Sequence, residues 1–274
     1  MRIVKLSFLS YWALPLLTLS LLLAACGGSS AQSNGPLKVG ASVTPHAEIL
    51  KYIKDNLAAK EGLDLQIVEF SDYVQPNLAL KDGQLDANFF QHVPYMEDFG
   101  KKRGIEMTAV TKVFISPLGI YSKKIKSLNE VGNGAVVAIP NDVTNGGRAL
   151  HLLADNGFIT LKDPQKLDVT VRDIATNPKN IQIKELEAAQ LPRSLDDTTF
   201  SIINMNFALS SGMKPNKDAL VLEKAANNPY ANVLTVLKGH ENDPRVQKLA
   251  KLLTTPEVKK FIEEKYQGAV LPVF

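Results

Sequence analysis

One cysteine, Cys26, and one tryptophan, Trp12, stand in 274 residues. A lone thiol excludes any intramolecular disulfide, whatever the redox state of the compartment. Both residues lie in the first 26, so the chain after Cys26 contains neither. Charge of one sign is also scarce. The 31 basic and 28 acidic side chains leave a net +3, and because Arg2 and Lys5 precede Cys26 the remainder carries 29 against 28. A balance so close to neutral offers no electrostatic footprint for nucleic acid, which is excluded as a partner. Catalytic patterns are missing too. There is no GxSxG, and the only thiol is at Cys26, so a nucleophile with a positioned base is not in evidence and an enzyme is not expected. No GxxxxGK[ST] phosphate loop occurs. The four histidines, His46, His92, His151 and His240, are widely spaced without HxxxH or HExxH, which speaks against a metal-binding receptor. Neither a catalytic residue, a cofactor nor a metal ligand is expected.

The first 26 residues set the compartment. Arg2 and Lys5 precede an apolar run from Leu6 to Leu22, which closes on Leu23-Ala24-Ala25-Cys26. Roughly 17 apolar residues could also be read as a short uncleaved membrane helix. Small residues followed by cysteine have no purpose in a spanning helix, whereas a processing enzyme must fit small side chains beside the residue it modifies. Residues 1–26 are therefore read as a bacterial lipoprotein signal with Cys26 lipidated, placing the protein on the extracytoplasmic face of a membrane. A single acyl chain binds a bilayer only reversibly, so stable anchoring takes two or more. Residues 27–36, GGSSAQSNGP, contain no large apolar side chain and form a flexible tether.

About 240 residues follow, enough for two lobes. Short β-type runs alternate with helical ones: 37–43, a helix within 46–62, then 63–70. Ile49, Leu50, Ile53 and Leu57 recur at three- and four-residue steps, one buried helix face. Next come a helix in 76–84, a strand at 85–90, a helix at 94–103, and strands at 107–114 and 117–124. A second series of the same kind contains the strand 135–140, a turn 141–147, a helix 148–157, and the strands 200–206 and 232–237; helices at 244–253 and 256–266 end the chain. The alternation predicts an α/β fold with two lobes, each a mostly parallel sheet flanked by helices. The expected division is 37–121 plus 228–274 for lobe 1 and 122–227 for lobe 2, with the two crossings as hinge. Ligands of such sheets bind at the carboxyl ends of the strands, here in the cleft between lobes.

Four constellations fall there. FSDYVQPN (70–77) carries Tyr73, which is either a cleft wall or a loop aromatic packed locally. DANFFQHVPY (86–95) is a strand end running into a helix opened by Pro94; if Phe89 faces the core, Phe90 faces the other way, in company with His92 and Tyr95. NDVTNGGR (141–148) joins a buried strand to a helix. Its glycines permit close backbone approach, helix-start amides favour an anion, and Arg148 is a two-pronged donor suited to a carboxylate, although a capping or solvated arginine fits as well. Asn204 and Asn232 lie in otherwise apolar runs, and a buried amide without partners costs about 1–3 kcal/mol, so each needs a structural or ligand partner.

In residues and order, these segments resemble the NlpA-type family of methionine-binding lipoproteins, receptors of methionine ABC importers. FSDYVQPN, LDANFFQHVPY, YSKKIKSL, IPND followed by TN and GR, LEAAQLPRSLDD and the Pro-Tyr-x-Asn stretch 229–232 carry the resemblance, which covers nearly all of the mature chain. It implies a two-lobed periplasmic-binding-protein fold of type II. It implies a cleft in which Tyr73, Phe90, His92 and Tyr95 surround a thioether. Arg148 with Asn145 would hold the α-carboxylate, and Asn204 and Asn232 the ammonium and carboxylate groups. Methionine, L or D, a methionine-containing dipeptide or another small amino acid would be the solute. The partners implied are the permease and ATPase of an ABC importer and, through the lipid anchor, the membrane; the chain would act as a monomer. LPRSLDD (191–197) is assigned to architecture or importer contact. Thr44-Pro45-His46 matches only some members, so no binding role is given to His46.

Overall fold

The computed structural model describes residues 35–274; the signal, Cys26 and all but the last two residues of the tether lie outside the described residues. From Leu37 the chain lays down strands β1 (Leu37–Ser42), β2 (Leu65–Phe70), β3 (Ala87–His92) and β4 (Met107–Ile115), separated by helices α1 (Glu48–Asn56), α2 (Gln75–Lys81) and α3 (Val93–Arg103). It then crosses to a second sheet. That sheet is built from β5 (Gly119–Tyr121), β6 (Val136–Pro140), β9 (Gln182–Leu186), β10 (Phe200–Ile203) and β11 (Ala219–Leu222), while β7 (Thr160–Leu161) and β8 (Ile174–Thr176) form a separate two-stranded ribbon. Helices α4 (Val143–Asp155), α5 (Leu191–Ser194), α6 (Met205–Ser210) and α7 (Pro215–Asp218) belong to this stretch. The chain returns as β12 (Ala231–Leu237), α8 (Pro244–Leu253), α9 (Pro256–Tyr266) and β13 (Leu271–Pro272).

The first sheet has the order β13-β4-β12-β3-β1-β2 and the second β11-β5-β10-β6-β9. Following the pairings, β1 to β4 run one way while β12 and β13 oppose them; in the second sheet only β5 opposes the other four. Each sheet is therefore mixed: most strands share one direction, but only two of the five pairings in the first sheet and two of the four in the second are parallel, because the opposed strands β12 and β5 each sit between two strands of the other direction. Gly119–Tyr121, expected in the first lobe, pairs with β10 and β11 of the second sheet. Its side chains explain the placement: Ile120 joins the core on one face of that sheet and Tyr121 the core on the other.

Two-residue alternation sorts the cores. Ala87 and Phe89 of β3 point into the main core of the first sheet with Leu37, Val39 and Ala41, where Ile49, Leu50 and Ile53 of α1 cover them. Phe90 points to the opposite face, with Tyr95 and Phe99 of α3. In the second sheet Val137 and Ile139 pack under Leu150 and Leu153 of α4, while Ala138 faces Leu191 and Leu195. Met205, although it follows β10, is buried in the first sheet's core, so α6 lies against the other half of the molecule.

Candidate functional site

The strands β1, β2 and β3 end at Ser42, Phe70 and His92, and β6 and β10 end at Pro140 and Ile203. The two sets of ends face each other. His46 follows β1, Tyr73 follows β2, His92 ends β3, Asn145 and Arg148 follow β6, and Asn204 follows β10; Asn232, near the start of the opposed strand β12, is the register partner of His92. The hollow between them is lined by all eight residues singled out from the sequence: Tyr73, Phe90, His92, Tyr95, Asn145, Arg148, Asn204 and Asn232. His46, Gln91, Ser116, Met205 and Asn206 complete the lining. Sequence reasoning passed over these five, although the orphaned position of a histidine beside a strand end was a signal for His46.

One wall is aromatic. Tyr73 sits 5.9 Å from Phe90, 5.7 Å from Tyr95 and 4.9 Å from Phe207, ring centre to ring centre. Its hydroxyl donates to Asn206 Oδ1, and its carbonyl accepts from the Tyr95 hydroxyl at 2.9 Å. Burial raises both phenols well above their ordinary range, so each remains a neutral donor. Behind this wall Asn77, Asn88 and Gln91 bond one another through their amides, which locks α2 to β3.

The other wall is polar, and its tautomers follow from its bonds. His92 Nδ1 accepts from the Tyr95 amide at 3.2 Å, capping α3, so the ring proton resides on Nε2 and is donated to Asn145 Oδ1 at 3.1 Å. Burial first, then the Arg148 charge, push this imidazole down to about 3, keeping it neutral. Asn145 Oδ1 also accepts from Asn204 Nδ2 at 2.8 Å, and the Asn145 amide group is in turn held by Asp142. Burial raises the Asp142 carboxyl while the bonds from Asn145 and Thr144 oppose that shift.

Two expectations about the segment 141–148 are corrected here. Residues 141–147 are not a turn: α4 begins at Val143, because Asp142 accepts the Asn145 amide at 2.8 Å and starts the helix five residues earlier than expected. Gly146 and Gly147 are thus helical, and their missing side chains admit neighbouring backbone. A Cβ on Gly147 would stand 2.4 Å from the Leu167 carbonyl oxygen. Arg148 lies in the second turn, so helix-start amides do not act beside it. Nor is its two-pronged edge open to a ligand: Nε and Nη2 grip the Glu223 carboxylate, Nε at 2.8 Å, and Nη2 also donates to the Ser116 carbonyl at 2.9 Å. Nη1 has no protein partner among the described residues. The guanidinium lies 4.4 Å over the Tyr230 ring.

Four buried side-chain polar atoms lack a partner among the described residues: His46 Nδ1, Ser116 Oγ, Tyr121 Oη and Asn204 Oδ1. Three of the four residues line this hollow. Buried polar groups are nearly always satisfied, so their concentration in one place calls for partners from outside the chain, either ordered water or a polar ligand. No group of three or more His, Cys, Asp or Glu among the described residues is placed to hold a metal ion.

Two mixed sheets, joined by two crossings and facing one another across a lined hollow, define a two-lobed substrate-binding-protein fold. The chain belongs to the NlpA lipoprotein family, whose model matches residues 37–274. It is 42% identical over 252 residues to a probable D-methionine-binding lipoprotein MetQ of Vibrio cholerae, covering 92% of this chain and 93% of the relative. A nutrient-binding protein from Burkholderia cenocepacia, solved bound to methionine, is 44% identical with a TM-score of 0.83, covering 87% of this chain and 100% of that one. An ABC transporter periplasmic substrate-binding protein from Coxiella burnetii is 40% identical with a TM-score of 0.82, covering 86% and 100%.

Proposed function

We propose that this protein is the lipid-anchored receptor of an ABC importer and that it captures methionine between its lobes. The observation that carries the reading is the pairing, in one hollow, of an aromatic wall with unsatisfied polar atoms of both kinds. Ser116 Oγ, and Arg148 through the Nη1 that Glu223 and the Ser116 carbonyl leave free among the described residues, are donors for a carboxylate, and Asn204 Oδ1 is an acceptor for an ammonium. Tyr73, Phe90, His92 and Tyr95 suit an unbranched thioether, which gains about 0.3–1.5 kcal/mol from each favourable sulfur–aromatic contact. The naming of the Vibrio relative and the methionine in the Burkholderia structure support the same solute.

No chemical step is needed. Bonds between the lobes, Tyr73 to Asn206 and His92 to Asn145, favour the closed arrangement, and a ligand touching both walls adds to them. The crossings at 116–118 and 223–230 act as the hinge, which sets the lobes at 37–118 plus 223–274 and 119–222. Cys26 anchors the body to the extracytoplasmic face of the membrane, from which it serves a permease and ATPase. Mass spectrometry of the solute released by denaturing the purified body tests the assignment, with calorimetry of L- and D-methionine on the emptied protein. Free methionine released, and bound again with a dissociation constant in the micromolar range or tighter, is the expected result; a peptide or no binding of either enantiomer overturns it.

A further inference from the structure

Resting on that reading of the hollow as an amino-acid site, we propose that His46 is a positioning residue for specificity: it turns the Asn232 amide so that the nitrogen, not the oxygen, faces the ligand's carboxylate. His46 is 2% exposed and Asn232 6%. The His46 Nε2 lies 2.8 Å from Asn232 Oδ1. The imidazole cannot swivel freely, since Phe89 meets it edge-on at 4.9 Å and Phe114 lies 5.0 Å away. Burial keeps the ring neutral, with its pKa pushed down to about 4. A neutral imidazole has one donor and one acceptor, and a bond to an amide oxygen requires the proton on Nε2. With Asn232 Oδ1 taken by that proton, Nδ2 is the end left for the hollow, a second donor in the same lining as Arg148.

Asn204 is turned the opposite way by the same device. Its Nδ2 is spent on Asn145 Oδ1, whose own orientation is set by His92 and Asp142, and its Oδ1 is left unpartnered. The hollow is thereby polarised, with an acceptor at Asn204 and donors at Asn232 and Arg148. A free amino acid carries the complementary pair of groups. A ligand whose carboxylate is capped as an amide keeps one accepting oxygen, but loses the charge and turns an NH2 group toward one of the two donors.

The test compares L-methionine with L-methioninamide by calorimetry in the wild type, His46→Leu and His46→Gln. In His46→Leu the Asn232 amide is released to present its oxygen, so preference for methionine over methioninamide falls by about tenfold or more, the scale of a hydrogen bond to a charged group. His46→Gln keeps a donor in reach of Asn232 and restores most of the preference. Loss of both ligands by the same factor in His46→Leu, or an unchanged preference, overturns the proposal, because a merely structural role does not distinguish the two ligands. Should His46→Leu not fold, nitrogen NMR of labelled histidine in the wild type decides: a protonated Nε2 on His46 is expected, and a protonated Nδ1 refutes it. Failure of the wild type to bind methionine at all is a different result, which removes the amino-acid reading itself.

Discussion

Arg148 and Glu223, 75 residues apart in the chain, are joined by two hydrogen bonds where the chain crosses between the sheets. Glu223 is held in turn by the first crossing: its amide donates to the Leu118 carbonyl at 2.8 Å, and its carboxylate accepts from the Leu118 amide at 3.2 Å. Arg148 adds its own bond to the Ser116 carbonyl. One ion pair thus ties both crossings to the helix that lines the hollow. The Arg148 charge is thereby fixed relative to both crossings, so that under the proposed function ligand capture would be coupled to lobe position.

Arg148→Ala leaves the Glu223 carboxylate partly buried without its partner and removes Nη1 from the hollow. Breaking such a pair costs about 3–5 kcal/mol of stability, and loss of a desolvated charge contact costs about 2–5 kcal/mol of affinity. The double variant Arg148→Ala, Glu223→Ala separates the two effects. In urea unfolding it recovers part of the stability, since no charge is left unpaired, whereas in calorimetry methionine affinity stays low. Recovery of affinity together with stability would show that Arg148 serves Glu223 alone.

The aromatic wall yields a prediction about selectivity. Phe90→Ala removes apolar surface from the hollow and lowers methionine affinity by about 1.5–3 kcal/mol, the value of burying a large apolar side chain, while alanine, which does not reach the wall, is little affected. Tyr73→Phe keeps the ring and deletes only the hydroxyl bonded to Asn206 on the facing lobe. It weakens closure and therefore both ligands alike, by about 0.5–1.5 kcal/mol. Competition binding with the two ligands reads both patterns, and equal losses for Phe90→Ala would remove Phe90 from the side-chain pocket.

Much of this wall was legible in the sequence because alternation and proline act locally. Phe89 and Phe90 had to face opposite sides of a strand, Pro94 had to open a helix, and His92 and Tyr95 therefore had to share one turn. The segment 141–148 was harder to read. Two adjacent glycines favour a turn by propensity, yet Asp142 caps the helix and the packing of the 167–169 backbone against Gly147 overrides that preference. Glu223 was invisible, since nothing in a charged loop signals a partner 75 residues away. His46 escaped because its function passes through Asn232, a contact 186 residues distant in the chain. Local patterns set which elements form, while long-range polar pairs set what those elements aim at.

Acid should destabilise the fold through its buried histidines. His46 and His92 have folded pKa values of about 4 and about 3, set chiefly by burial, against roughly 6.5 in an unfolded chain. As pH falls below about 6.5 the unfolded chain takes up two protons that the folded protein refuses, so stability declines toward pH 4 with a slope approaching about 1.4 kcal/mol per pH unit for each ring. Asp142, whose carboxyl is raised by burial, contributes with the opposite sign as it protonates in the fold. The comparison of wild type with His46→Gln isolates one histidine, because Asp142 is common to both. Urea unfolding between pH 6.5 and 4.5 should show the variant losing stability less steeply, by about 1 kcal/mol per unit. Parallel pH profiles would mean that His46 is not held neutral by its surroundings.

Gly147 sets a last expectation, one that joins packing to binding. Alanine in a helix interior ordinarily gains about 1 kcal/mol over glycine. At this position the added Cβ would meet the Leu167 carbonyl oxygen at 2.4 Å and the Val169 carbonyl oxygen at 3.1 Å, both backbone atoms that cannot rotate aside. Either α4 or the 167–169 segment must shift, and overpacking of that kind costs about 1–3 kcal/mol, so Gly147→Ala should be destabilising on balance. Arg148 is the next residue on the same helix, and a displaced α4 carries its guanidinium away from Glu223 and Ser116. Methionine affinity should therefore fall along with the urea midpoint. A variant that is more stable than the wild type and binds as well would show that the 167–169 backbone does not press on the helix and has no part in placing the charge.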